Sequence, residues 1–401
     1  MVRTPERQYT TSHPWLTFSQ VDLRRSGAEF WMLVGEARSK VEHLSMALLR
    51  PEIRDELLKV FLAKGVHATT AIEGNTLSEA QVVEIVEGRA TAPASQEYLY
   101  REVENIITAY NGIKDHLFTG GDPSLTVEGI KQFDRQVLDG IHEEGVTPGE
   151  IRTQSVVVGQ RYRGAPAVDC EYLLERLCDW LAGSDFDPPT PDMAIPYALI
   201  KAVMAHLYLV WIHPFDNGNG RTARLMELQI LMAAGVPMPA AHLLSNHYNV
   251  TKEEYYRQLQ QASDSGGDIT SFFHYAVQGF VDGIRDQVNY VWGQQYSDRW
   301  QQFIYESFGG RPTSDAEKRR FLLVTKLSDL WEPIARRDIP GLDPLLALAY
   351  SNTERMLSRD LNALEEAGLI EQASHGYWEV ARGQILAFRP LRLETGGRSS
   401  L

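Results

Sequence analysis

Apolar residues recur at the spacing of one helix face along most of this chain, and no other feature restricts its fold as much. The register holds over residues 28–49, 54–62, 79–87, 97–115, 127–141, 170–182, 191–211, 221–234, 252–262 and 269–301. Strand signals are few. In the first three quarters the best is the run Gln154-Ser155-Val156-Val157-Val158 before Gly159, which with residues 161–165 and 167–168 reads as a small hairpin. The pattern predicts a mainly α protein, and 401 residues give room for two or three parts with their own cores.

Charge and composition exclude some classes of function. The 39 basic and 53 acidic residues leave a formal net charge of −14, which argues against a protein built to grip nucleic acid, since phosphate binding needs a basic surface. The longest apolar runs are interrupted and read as too short to cross a bilayer, and residues 1–20 do not read as a leader, so no membrane partner is expected. Cys170 and Cys178 stand eight apart and match no zinc or redox spacing, which reads as buried thiols in a reducing cytoplasm. His116, His142, His206, His242, His247 and His274 are scattered without metal-ligand spacing.

The informative stretch is His213-Pro214-Phe215-Asp216-Asn217-Gly218-Asn219-Gly220-Arg221-Thr222-Ala223-Arg224. Pro214 disfavours α geometry at His213, so an apolar helix ends there. Gly218 and Gly220 let the backbone turn without a Cβ in the way, and a new helix starts at once. Amides at a helix N-terminus form an anion site, and Arg221 and Arg224, three apart, project from one side with forks suited to phosphate oxygens. A neutral imidazole at His213 could take a proton from an incoming hydroxyl.

This stretch closely resembles the signature of the Fic family, His-Pro-Phe-x-(Asp/Glu)-Gly-Asn-Gly-Arg-x-x-Arg. The resemblance implies His213 as general base, the backbone of Gly218, Asn219 and Gly220 around the α- and β-phosphates, Arg221 and Arg224 on the outer phosphates, and Phe215 as anchor of the loop. It implies ATP as substrate and a protein hydroxyl as acceptor. One position departs: the family's metal-binding carboxylate is Asn217 here, whose neutral oxygen holds a hard cation less well, so the use of Mg2+ stays open.

Three further segments resemble family features. Pro148-Gly149-Glu150-Ile151-Arg152-Thr153 resembles the lead into the flap, a hairpin edge that pairs with the target's backbone; Val156, Val157, Val158 and Gly159 take the matching positions. Tyr255-Tyr256 resembles the tyrosine pair bordering the adenine pocket, although rings at helical spacing also suit a core. Thr69-Thr70-Ala71-Ile72-Glu73-Gly74 reads as a helix end stopped by Gly74 and resembles the inhibitory signature (Ser/Thr)-x-x-x-Glu-(Gly/Asn). By that resemblance Glu73 pairs with Arg224 and keeps the outer phosphate from its seat. After the breakers at 309–314, a helix over 315–327, a second over 353–367 with Ser351-Asn352 as its cap, and strands at 369–372 and 377–380 resemble a winged helix. The tail beyond Arg392 reads as disordered.

The expected architecture is a helical region at 1–123 carrying the inhibitory segment 69–75, a Fic core at 124–283, a helix and linker at 284–314, and a winged helix at 315–395. The expected activity is transfer of AMP from ATP to a Ser, Thr or Tyr hydroxyl of a target bound along the flap, or of the chain itself. AMP removal, another nucleotidyl transfer on the same site, and a nucleotide-sensing DNA-binding regulator stay open. So does a homodimer. Arg355 and Arg359 lie among Glu354, Asp360, Glu365 and Glu366, which favours a protein contact over DNA for the last part.

Overall fold

The structure, a computed structural model, describes residues 7–19, 26–158, 162–351 and 354–386. Two compact units emerge, Met1–Val291 and Trp292–Leu401. The expected parts at 1–123 and 124–283 therefore share one unit, because side chains from both fill a single apolar core, among them Phe30, Val66, Ile106, Ile130, Leu207 and Leu228.

The first unit strings together α1 (Tyr9–Ser12), α2 (Gly27–Ser45), α3 (Pro51–Ile72), α4 (Glu79–Val86), α5 (Glu97–Phe118), α6 (Val127–Val137), α7 (Cys170–Leu181), α8 (Ala194–Ile212) and α9 (Asn219–Ala233). It continues through α10 (Met238–Ala241), α11 (Leu243–Val250) and α12 (Lys252–Asp264) into the first part of α13 (Thr270–Ser307). Helix α3 runs unbroken where the sequence pattern left a gap after 62. Gly65 sits inside it because a Cβ there would lie 2.2 Å from the His242 ring, so close packing outweighs the helix cost of glycine.

Helices α8 and α9 form the heart of the unit. Leu199, Val203, Leu207, Leu209 and Ile212 of α8 are fully buried, each contributing about 1.5–3 kcal/mol. The stretch Pro191–Ile212 corrects the expectation that no run is long enough to span a bilayer: by length and composition it is, and it lies mostly buried as a core helix. His206, which interrupts the apolar run, is itself buried. The hairpin is shorter than expected, with β1 (Val157–Val158) antiparallel to β2 (Tyr162–Arg163). Residues 167–168 belong to a 3-10 turn instead, and Gly159 and Arg161 lie outside the described residues.

In the second unit the later part of α13 is followed by α14 (Asp315–Ser328), β3 (Ile334–Ala335), α15 (Pro344–Tyr350), α16 (Glu354–Glu366), β4 (Ile370–Ser374) and β5 (Tyr377–Val380). The sheet is three-stranded, in the order β3-β5-β4, where two strands were expected. Its own core gathers Leu323, Leu327, Leu346, Leu361, Ile370 and Trp378. Asp360, one of the acidic residues counted against a DNA-binding face, is buried and held by Arg319 (2.6 Å), Arg320 (2.8 Å) and Tyr350 (3.0 Å). Asn352 of the expected cap, Thr353 at the expected start of the helix, and the tail beyond Arg392 lie outside the described residues.

Candidate active site

Helix α8 ends at Ile212, and His213 follows in the left-handed region with φ 50° and ψ 60°. For a residue with a Cβ this conformation costs roughly 1–2 kcal/mol and persists when neighbours over-determine it. The neighbour here is Arg152. Its guanidinium donates to the carbonyls of His213 (2.6 Å), Gln154 (2.6 Å), Ile212 (3.4 Å) and Ala165, while its backbone N–H donates to Pro214 O (3.0 Å). A cation at a helix C-terminus also suits the helix dipole. Tyr162 donates its hydroxyl to Trp211 O (2.6 Å), so the hairpin helps to close the same helix end.

His213 is half-buried. Burial and the positive charge of Arg152 pull its imidazole down from 6.5 to about 4, against the Val210 carbonyl and Glu73, which act the other way. It is therefore neutral near pH 7 and free to accept a proton.

The loop after His213 is tied by its own side chains. Asn219 accepts from Phe215 N–H (3.0 Å) and returns its amide to Phe215 O (2.8 Å), while the Phe215 ring is buried. Gly218 has φ 81°, and a Cβ there would lie 2.4 Å from Asp134 Oδ1, so glycine is required twice over. Burial raises the Asp134 carboxyl to about 7, against the Gly149 N–H that it accepts at 2.8 Å. Helix α9 begins at once, its first bond running from Thr222 N–H to Gly218 O (2.9 Å). The N–H groups of its first turn have no partner within the helix, as at any helix N-terminus.

Arg221 and Arg224 are both buried, and each already has a carboxylate. Arg224 donates Nη2 to Glu73 (2.6 Å) and to Thr69 O (3.0 Å), and Nε to Thr69 Oγ1 (2.7 Å). Arg221 donates to Glu102 (2.7 Å) and to Asn217 Oδ1 (3.1 Å). Arg221 Nε and Arg224 Nη1 make no hydrogen bond among the described residues although both are buried. Burial pushes the Glu73 carboxyl up, but Arg224 and Arg221 outweigh it and hold it below the ordinary carboxylate range. Glu73 is the C-terminal cap of α3, whose last carbonyls also accept from Lys252 (3.2 Å to Ala71 O) and Tyr256 (3.4 Å to Ile72 O).

Tyr255 is not on the rim of this site. It is buried, its hydroxyl 2.8 Å from His206 Nε2 and its ring stacked on Tyr248, because α12 turns that face into the core. Tyr256, 45% exposed, is the ring that faces outward, and its phenol feels the charges of Glu73 and Arg224.

Asn217 does not offer a free metal ligand. Its Oδ1 accepts from Gly218 N–H (2.6 Å) and from the Arg221 guanidinium, and its amide donates to Glu143 (2.5 Å). An oxygen already facing a guanidinium is a poor seat for a hard cation. Among the described residues no group of three His, Cys, Asp or Glu could hold one. The residues do not fit Mg2+ in this arrangement.

The structure thus brings His213, Asn217, Gly218, Asn219, Gly220, Arg221, Arg224 and Glu73 to one place. A Cβ on Gly220 would lie 2.3 Å from Glu73 Oε1, and one on Gly164 would meet His213, Arg152 and Val156 within 3.3 Å. Val156 reaches the site by that packing, and Val157 and Val158 continue along the hairpin. Sequence reasoning missed Arg152 as a clamp and Glu102 altogether. Glu102 had left a signal, a carboxylate on the apolar stripe of α5 between Leu99, Val103 and Ile106.

Residues 124–231 match the Fic/DOC family. Over 213 residues the chain is 32% identical to the protein adenylyltransferase Fic of Nematostella vectensis, a match covering 53% of this chain and 45% of that one. It is 33% identical over 219 residues to the protein adenylyltransferase fic-1 of Caenorhabditis elegans, covering 53% and 38%. The chain thus spans less than half the length of these relatives. Among solved structures, a Fic family protein from Desulfovibrio desulfuricans G20 superposes with a TM-score of 0.53 at 21% identity, over 88% of this chain and 96% of that one. Fic-1 from C. elegans gives 0.54 at 26%, over 65% and 72%.

Proposed function

We propose that this chain, whose residues 124–231 match the Fic/DOC family, is a protein adenylyltransferase restrained by its own Glu73. The observation that carries the reading is the pair of buried arginines at a helix N-terminus, each with an unpartnered N–H, beside a neutral histidine. Unpaired buried donors are costly, and triphosphate oxygens would satisfy them. The relatives named protein adenylyltransferase support the same reading.

In the reaction, His213 takes the proton of a Ser, Thr or Tyr hydroxyl as its oxygen attacks the α-phosphorus of ATP. The bond from that phosphorus to the oxygen bridging the β-phosphate breaks, and pyrophosphate leaves. The N–H groups at the start of α9 face the charge that develops, and Arg221 and Arg224 neutralise the outer phosphates. Glu73 occupies a donor of Arg224 that the outer phosphate would otherwise take, so the nucleotide competes with it. The target hydroxyl belongs to another protein laid along β1, or to the chain itself. A carboxylate kept ionised at this place could also orient water, which favours AMP removal as the second reading.

The second unit is proposed as a winged helix, on the order of its helices and its three strands, with a protein contact or dimerisation as its role. Buried free Cys170 and Cys178 support a cytoplasmic setting.

The test is transfer of label from ATP labelled at the α-phosphate, with γ-labelled ATP as control. Glu73→Gly is expected to raise α-label on protein several-fold, and Glu73→Gly/His213→Ala to abolish it. Label from the γ-position, or equal α-label in both variants, sinks the proposal.

A further inference from the structure

Resting on that reading, we infer that Glu102 is a positioning residue that aims Arg221 at the nucleotide's outer phosphates and, through Asn75, ties that arginine to the segment carrying Glu73. Two carboxylates meet two arginines here, but they are built differently. Glu73 caps the end of α3, directly before Gly74 at φ 103°, where backbone torsion can swing it away. Glu102 stands in the first half of α5, with Leu99, Val103 and Ile106 of the same helix buried around it. It cannot leave without moving the helix.

The contacts form a chain. Glu102 Oε1 takes Arg221 at 2.7 Å, with 4% of the arginine side chain exposed and 16% of the glutamate. Glu102 Oε2 accepts the Asn75 amide at 2.9 Å. That amide also donates to Leu99 O (2.9 Å), and Asn75 Oδ1 accepts Leu77 N–H (3.0 Å). Asn75 lies two residues past Glu73, so the exit of α3 is anchored to α5 through the same carboxylate that holds Arg221. Arg221 is thereby fixed with Nη1 on Glu102 and Nη2 on Asn217, leaving its buried Nε unpartnered. A guanidinium held in this way presents its remaining donors, the buried Nε–H among them, without a further loss of rotamer freedom when a phosphate arrives.

Glu102→Gln isolates the charge, because the amide keeps an oxygen for Asn75 and gives Arg221 no counter-ion. The full chain and its variants are titrated calorimetrically with ATP and with AMP, which lacks the outer phosphates, and melting is followed alongside. Glu102→Gln is expected to weaken ATP binding about tenfold or more, the worth of a hydrogen bond to a charged group, and to leave AMP binding within about twofold. Glu102→Asp keeps the charge and is expected to fall between the two. Should the glutamine variant melt too early to titrate, the aspartate variant reads the same contrast between ATP and AMP. Asn75→Ala is expected to raise α-label transfer in the parent chain and to add nothing on top of Glu73→Gly. ATP affinity that stays or rises in Glu102→Gln overturns the positioning role. So does an equal loss for ATP and AMP, or an Asn75→Ala effect of the same size in both backgrounds. If no variant transfers label while the ATP contrast holds, the transferase reading falls and this one stands. If the parent and Glu73→Gly bind no ATP, both fall.

Discussion

The phosphate loop and the hairpin beside it are opposite solutions to holding a backbone in place. The loop is held at nearly every residue: Arg152 on the carbonyls of Ile212 and His213, Asn219 on both backbone groups of Phe215, Asp134 against Gly218. The hairpin has two residue pairs and leaves Val157 53% exposed. On the proposed function, the difference follows from what each must recognise. Proton transfer and phosphate capture tolerate little displacement, so the loop is fixed before substrate arrives. An edge that pairs with another chain's backbone needs an open row of N–H and C=O groups and little else. Arg152 stands at the join, with partners on the loop and, at Gln154 and Ala165, at the base of the hairpin.

The largest expected effect lies on the fixed side. His213→Ala is expected to cut α-label transfer by about 10²–10⁴-fold, the usual worth of a general base, with ATP affinity and melting unchanged. Equal losses of transfer and ATP binding would mean that His213 shapes the loop and does not move a proton. Arg152→Met comes next and breaks the join itself. It leaves several buried carbonyls without a donor, each costing about 1–3 kcal/mol, so a clear loss of melting temperature is expected. It also removes a positive charge beside His213, so the imidazole, followed by NMR, is expected to titrate above its parent value of about 4. The sign carries into stability. Between about pH 6.5 and 4 the unfolded chain binds a proton that folded His213 refuses, so this residue's contribution is full above that window and is lost as pH falls through it. Arg152→Met narrows the window from below. A titration that does not move would place the guanidinium's charge out of reach of the ring.

The two regions were also unequally legible in the sequence. The loop could be read because its parts are local: Pro214 after His213, two glycines, and two arginines three apart all act within a few residues. Glu73 could be placed because Thr69, Glu73 and Gly74 resemble the family's inhibitory signature, itself a short local pattern. What stayed hidden depends on partners far along the chain. Arg152 finds the end of α8 some 60 residues later, and Glu102 finds Arg221 across 119. Tyr255 stayed open between core and adenine rim for a related reason. Adjacent residues on a helix point about 100° apart, and the spacing alone did not say whether Tyr255 or Tyr256 faced the core. The burial of Asp360 was hidden likewise, because its partners Arg319 and Arg320 lie on α14, some 40 residues earlier.

The smallest expected effect tests the open side. Gly164 N–H donates to Val156 O (3.2 Å), so Val156 turns its polar groups toward β2. Backbone groups alternate along an antiparallel strand, and the N–H and C=O of Val157 therefore point to the outer edge. The other edge of the hairpin is taken, since the carbonyl of Arg163, opposite Val157, meets His13 Nε2 at 2.9 Å. On the proposed function, a target strand would add beside Val157. Val157→Thr keeps the backbone donor and is expected to change labelling of a protein target less than twofold, about 0.4 kcal/mol or less. Val157→Pro removes that N–H, which an edge strand tolerates, and is expected to lower target labelling about three- to tenfold with ATP binding unchanged. Threonine and proline acting alike would show that the edge is read through its side chain, and the contrast between a fixed loop and a backbone-reading flap would not hold.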